Sequence, residues 1–226
     1  MIHHSVRALS SVVTRPQGSY RSAPITSERE TEVPPISDAE IRVRLRRSLS
    51  KHGSSSSRIV DEFVVANGAG RVDMLVLDTD LHGYEIKSDR DSLRRLPAQI
   101  RIFGEVLDRI TLVVGWTHAA AAMRVVPEWW AVSLAERGTR GAIRFTRLRE
   151  GDVNPIQNAH SLVRLLWKDE LIELLHELGA PRFRQSNRRL LRSELVSLTP
   201  SYSWLRSEVC ARLTRRPDRV AASQSV

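Results

Sequence analysis

The chain has 226 residues, 41% hydrophobic and 27% charged, and its 35 Lys and Arg against 26 Asp and Glu give a net charge of +9 and an isoelectric point near 10.8. That length supports one core-bearing domain with a smaller appended unit, and the basic balance points to a polyanionic partner. No apolar run reaches membrane-spanning length and no secretory signal core is visible, while the single cysteine, Cys210, excludes an internal disulfide or a cysteine-cluster zinc site and fits a reducing cytoplasm.

Residues 1–35 mix Ser, Arg, His, Pro and Thr, hold no acid before Glu28 and show no sustained periodicity, so this segment is expected to be disordered. An organellar transit peptide is the alternative reading of so acid-poor a start. Ser37 is placed to cap a helix from Asp38 to Leu49. Arg58 to Ala66 has the β-branched content of a first strand, with Asn67 to Gly70 as its turn. The apolar run Val72 to Leu77, broken by Asp73, reads as a second strand. Asp78 to Gly83 then turns the chain back antiparallel into Tyr84-Glu85-Ile86-Lys87. Asp91 to Asp108 reads as a helix that Pro97 kinks or delays, and Thr111 to Gly115 as a short buried strand.

Trp129 and Trp130 are expected to anchor a strand start by packing rather than to stack on bases. Ala142 to Leu148 alternates like a strand, and Gly151 to Pro155 breaks the chain. Beyond this, residues 156–216 form a helical region, with helices from Ala159 to Leu178 (stopped by Gly179), from Arg188 to Leu198, and from Pro200 to Leu213 with Thr199 as N-cap. Such a bundle serves either as a DNA-binding appendage or as a lid that completes the core. Residues 217–226 are expected to be a disordered tail.

The chemistry centres on a lysine. Lysine is scarce, three residues (51, 87 and 168) of the 35 cations, leaving 32 arginines. One of the three stands in Glu85-Ile86-Lys87, twelve residues after Asp73. Alternation along a strand sends Glu85 and Lys87 to one side and Ile86 into the core. The antiparallel return brings Asp73 beside Glu85. Two carboxylates held close repel unless a cation or proton relieves them. A hard divalent ion, Mg2+ or Mn2+, does so with one or two carboxylates and leaves its other positions to water and phosphate. Lys87 would orient or deprotonate the attacking water and stabilise phosphoryl charge, so the expected reaction is phosphodiester hydrolysis.

These residues resemble the PD-(D/E)XK nuclease superfamily, whose signature is an acid at one strand's start and an acid-x-Lys on the next. The resemblance implies an α/β fold with a restriction-endonuclease-like αβββαβ core and a mixed sheet within residues 36–150, followed by the helical appendage. It also implies an additional acidic ligand at Glu62, unless Asp61 faces the site through a one-residue register shift. Gln99, in Gln99-Ile100-Arg101-Ile102-Phe103, resembles the Gln-x-x-x-Tyr helix motif of the RecB-like branch, with Phe103 in place of tyrosine. Val72 stands where the superfamily's proline would be. The implied site is Asp73, Glu85 and Lys87 with Glu62 and Gln99 in support, the metal being held by Asp73, Glu85, Glu62 and the Ile86 carbonyl. The runs Tyr84 to Asp91 and Val126 to Trp130 are similar to a small bacterial and phage group related to MmcB DNA-repair proteins, which implies a role in DNA repair or in mobile-element and phage biology.

Asp89, Arg90 and Asp91 read as a charged helix start rather than ligands. The charge excess is concentrated late. Residues 182–219 hold ten arginines against Glu194, Glu208 and Asp218, so Arg182, Arg184, Arg188, Arg189 and Arg192 are the expected phosphate contacts to DNA. The rival reading keeps the fold without catalysis, as a protein that binds nucleic acid or a protein partner through these helices.

Overall fold

The computed structural model describes residues 35–54, 57–138, 141–156 and 158–217. The expectations for residues 1–34 and 218–226 lie outside the described residues.

Helix α1 (Asp38–His52) starts where Ser37 makes a capping box with Glu40: the Ser37 hydroxyl accepts from the Glu40 amide, and the Glu40 carboxylate accepts from the Ser37 amide at 3.0 Å. Acids in its first turn and Lys51 and His52 in its last suit the helix dipole. Strand β1 (Arg58–Val65) turns through Ala66, Asn67 and Gly68, all with positive φ, into β2 (Gly70–Leu77). A shorter turn than expected, Asp78 to Asp80, leads to β3 (Leu81–Lys87). Helix α2 (Leu96–Gly104) follows, then β4 (Arg109–Val114), α3 (Trp116–Val125), β5 (Ala131–Arg137) and β6 (Ile143–Arg149).

The six strands form one mixed sheet in the order β1-β2-β3-β4-β5-β6. Pairs β1/β2, β2/β3 and β5/β6 are antiparallel, whereas β3/β4 and β4/β5 are parallel. Helices α2 and α3 supply the crossovers that parallel pairing requires. Alternating side chains give the sheet two apolar faces. Met74, Ile86, Val113 and Ala135 pack with Ile41 and Leu45 of α1 on one face. Leu75, Leu112, Val114 and Val132 join Phe103 of α2 in the larger cluster on the other. Close packing there needs Gly83, where a Cβ would lie 2.5 Å from a Leu107 methyl.

Trp130 is fully buried beside the ring of Phe103, centroids 6.4 Å apart, with Trp129 edge-on to it, so both tryptophans pack at the entry to β5. Four further helices follow: α4 (Ala159–Leu162), α5 (Lys168–Glu177), α6 (Arg188–Leu198) and α7 (Tyr202–Arg215). Their Leu162, Leu174, Leu191, Leu195, Leu205 and Leu213 share the larger cluster with the sheet. All described residues belong to one compact unit. No helix among them is long and apolar enough to cross a membrane.

Four further local expectations change. The helix expected from Asp91 begins as a 3₁₀ turn at Leu93 and as α-helix at Leu96, with Pro97 in its first turn, where a missing N–H costs nothing. Asp89 to Asp91 form a turn instead of a helix start, Asp91 accepting from the Ser88 amide and hydroxyl at 2.7 and 2.6 Å. The single helix expected over 159–178 is broken at Leu166 and Trp167, both extended. Buried Arg216 holds that break: it donates to the Leu165 carbonyl at 2.7 Å, pairs with Glu170 at 2.5 Å, and stacks over Trp167 with its Cζ 4.1 Å from the ring centre. Finally, Ser201 and not Thr199 caps α7, accepting from the Trp204 amide at 3.2 Å, while the Thr199 hydroxyl bonds back to Leu195.

Candidate functional site

Strands β2 and β3 are paired from Leu77/Leu81 to Met74/Tyr84, beyond which no paired position continues the ladder. At the parting, the Asp73 side chain takes over the ladder's role, its Oδ2 accepting from the Ile86 amide at 2.7 Å. A cavity of about 390 Å³ opens there, lined by Asp38 and Arg42 of α1, Glu62, Arg71, Asp73, Glu85, Ile86, Lys87, Asp91, and Arg95, Ala98 and Gln99 at the start of α2. All the sequence-predicted core residues of the site, Asp73, Glu85, Ile86, Lys87, Glu62 and Gln99, therefore line one cavity.

Glu85 and Lys87 project to the same side and are almost wholly buried, their side chains 3% and 5% exposed. They form a direct ion pair. Gln99 donates its amide to the same Glu85 oxygen at 2.5 Å, and Lys87 also lies 3.4 Å from the Ile86 carbonyl. The second Glu85 oxygen is buried without a partner, as is the Gln99 amide oxygen. Burial first and the Asp73 charge second push the Glu85 carboxyl up to about 7, against the opposing pull of Lys87 and Gln99. The Gly115 amide donates to the Lys87 carbonyl at 2.8 Å, which fixes the end of β3 against β4. Asp89 ties the following turn to its surroundings, accepting from the Ile36 amide at 3.3 Å and the Thr117 amide at 3.1 Å.

A cation that the sequence did not point to joins the acids. Arg42 donates to Asp73 Oδ1 at 2.8 Å, to the Asp73 carbonyl at 3.0 Å and to Asp38 at 3.3 Å, and forms an ion pair with Glu62 at 2.9 Å. Burial works against its charge, but Asp73 and Asp38 outweigh that and raise its pKa above the ordinary arginine value. Glu62 sits at φ 53, a left-handed conformation costly for a residue with a side chain, and is held between Arg42 and Arg71, the latter at 2.7 Å. That conformation turns Glu62 to the cavity, and Asp61 instead pairs with Arg46 outside it. Among the described residues, no three His, Cys, Asp or Glu side chains gather closely enough to hold a metal ion by themselves.

The late arginines divide. Arg188 and Arg189 are exposed and Arg192 is half-buried, whereas the side chains of Arg182 and Arg184 lie outside the described residues. Arg206, Arg212 and Arg216 turn inward to Asp108, Glu177 and Glu170 at 3.7, 2.9 and 2.5 Å. Part of the charge excess over 182–219 is thus internal pairing.

A mixed α/β protein with an acid- and arginine-lined cavity where its central strands part is what fold and site define. The chain belongs to the bacteriophage P4 protein cII family, whose model matches residues 35–219. It is 28% identical over 183 residues to protein cII of Enterobacteria phage P4, which covers 80% of this chain and 68% of that protein. No solved structure matches the chain.

Proposed function

We propose that this protein is a metal-dependent DNA nuclease of phage or mobile-element biology. The observation that carries the reading is the convergence of Asp73, Glu85, Lys87 and Gln99 on one cavity, with a buried Glu85 oxygen that has no partner. The element order α1, β1, β2, β3, α2, β4 in one mixed sheet supports it, because the PD-(D/E)XK resemblance implies an αβββαβ core with a mixed sheet.

The donor set suits a hard divalent cation. Asp73 and Glu85 supply two carboxylates, one Glu85 oxygen being buried without a hydrogen-bond partner, and the Ile86 carbonyl a neutral oxygen. Glu62 would join them only by leaving its arginines. When bound, magnesium or manganese would supply charge stabilisation at the phosphoryl group and lower the pKa of a coordinated water. The protein's own groups do the rest. Glu85, with its raised pKa, takes its charged form most readily when a cation is present. Gln99 fixes the Glu85 carboxylate, and the Lys87 Nζ stands next to the acids, positioned to orient water and to balance charge on phosphate. Arg42 has to release Asp73 Oδ1 for that carboxylate to turn to a cation.

A second reading, a nuclease-fold protein that binds without cutting, is favoured by Arg42, which already neutralises Asp73 and Glu62. Calorimetric titration with manganese separates the two. Heat in the wild type that vanishes in folded Asp73→Ala and Glu85→Ala supports the nuclease; no heat in the wild type favours the binder.

A further inference from the structure

Helix α6 carries Arg188 and Arg192 one turn apart, and so on one face. It packs against the 3₁₀ turn Val163–Leu165, which carries Arg164. Arg164 and Arg188 are exposed, while the Nε of Arg192 is shielded from solvent and has no hydrogen-bond partner. None of the three has a carboxylate partner among the described residues. This contrasts with Arg206, Arg212 and Arg216, each of which is met by an acid. Burial first, then Arg188 and Arg164, disfavour the charge of Arg192. Like charges assembled around a sequestered donor leave an unanswered demand for an anion.

The position of the cluster says which anion. The turn bearing Arg164 touches the turn Ala66–Gly68, and the next residues, Ala69, Gly70 and Arg71, form a wall of the acid-lined cavity. The turn Ala66–Gly68 thus links the cavity wall to the turn that bears Arg164, on which α6 packs. Guanidinium groups bind phosphate oxygens in a planar, bidentate fashion, and a site with two exposed members on a helix and a neighbouring turn suits an extended backbone. We propose that Arg164, Arg188 and Arg192 form a binding site for the phosphodiester backbone of DNA running past the cavity. The proposal rests on the nucleic-acid part of the reading above and is independent of cleavage.

The test is fluorescence anisotropy of a labelled duplex with the full-length protein in EDTA, over a series of salt concentrations. The R164Q/R188Q double variant changes exposed side chains only; the triple variant adds R192Q, and Arg124→Gln on α3 is the control. Each lost phosphate contact flattens the dependence of log affinity on log salt by about 0.9. The double variant is expected to flatten the slope by about 2 and the triple by about 3, with Arg124→Gln unchanged. An unchanged slope in a double variant whose thermal melt matches wild type overturns the proposal. So does an Arg124→Gln control whose slope flattens as much as that of the double variant. Because no divalent metal is present, failure here leaves the nuclease reading intact, and failure to cleave leaves the cluster intact.

Discussion

Replacing Glu85 by Gln keeps the shape and the acceptor for Gln99 but removes a charge buried beside Asp73. The wild-type carboxyl titrates at about 7 in the fold against 4.5 as a free group. Because the folded value is the higher one, the group's contribution to stability is present below pH 4.5 and is lost as pH rises through 7. Between pH 4 and pH 8, wild type therefore loses about 3 kcal/mol that the variant does not, an order-of-magnitude figure at ~1.4 kcal/mol per pKa unit. The side chain is 3% exposed, so solvent does not screen this effect away. The Lys87 ammonium left without its carboxylate adds an offset, so the quantity to read is the change in the difference with pH. Urea unfolding of both proteins in EDTA at pH 4, 5, 6, 7 and 8 measures it. A wild-type-minus-variant difference that stays level across that range would refute the claim that Glu85 is held near neutrality by burial and by Asp73.

Arg42→Gln removes the cation that bridges Asp73, Glu62 and Asp38. Manganese is expected to bind on the order of tenfold more tightly in calorimetry, since a repelling charge leaves the acids, while stability falls by about 1–3 kcal/mol. Weaker manganese binding by a folded variant would argue against a shared position. Burial first drives the His82 imidazole down to about 4, against 6.5 when free. Its folded value is the lower one, so the stability it contributes is present above pH 6.5 and is lost toward pH 4, by about 3 kcal/mol. His82→Gln should lack that acid-side loss in urea unfolding, and equal acid sensitivity of the two proteins would count against it.

Much of the central architecture was legible because strands with an acid in an apolar run and short polar turns carry local signals. Asp73 stands out as a charge within Val72 to Leu77, and Glu85 and Lys87 stand out by their spacing of two. The Ser37 N-cap is equally local. What escaped depends on distant partners. Arg42 looks like one more arginine on an amphipathic helix, because its partners Glu62 and Asp73 lie on two strands that only the fold brings to it. The positive φ of Glu62 leaves no trace in residue identity. Helix α3 passed unnoticed because its alanine run, Ala119 to Ala122, buries only Ala122 and shows no apolar stripe. The break at Leu166 hid inside a leucine pattern that continues at helical spacing across it, since Arg216, which holds it open, comes some fifty positions later. Pro200 lies between two residues able to cap, Thr199 and Ser201, and sequence favoured the wrong one.

The most direct measurement is cleavage of fluorescently labelled plasmid, linear duplex and single-stranded DNA with magnesium or manganese, by wild type, Lys87→Ala and Asp73→Ala. A metal-dependent nuclease centred on these residues predicts products from wild type with at least one substrate, and none from either variant while both stay folded. Absence of cleavage by wild type on every substrate, with DNA bound equally by all three proteins, would contradict it.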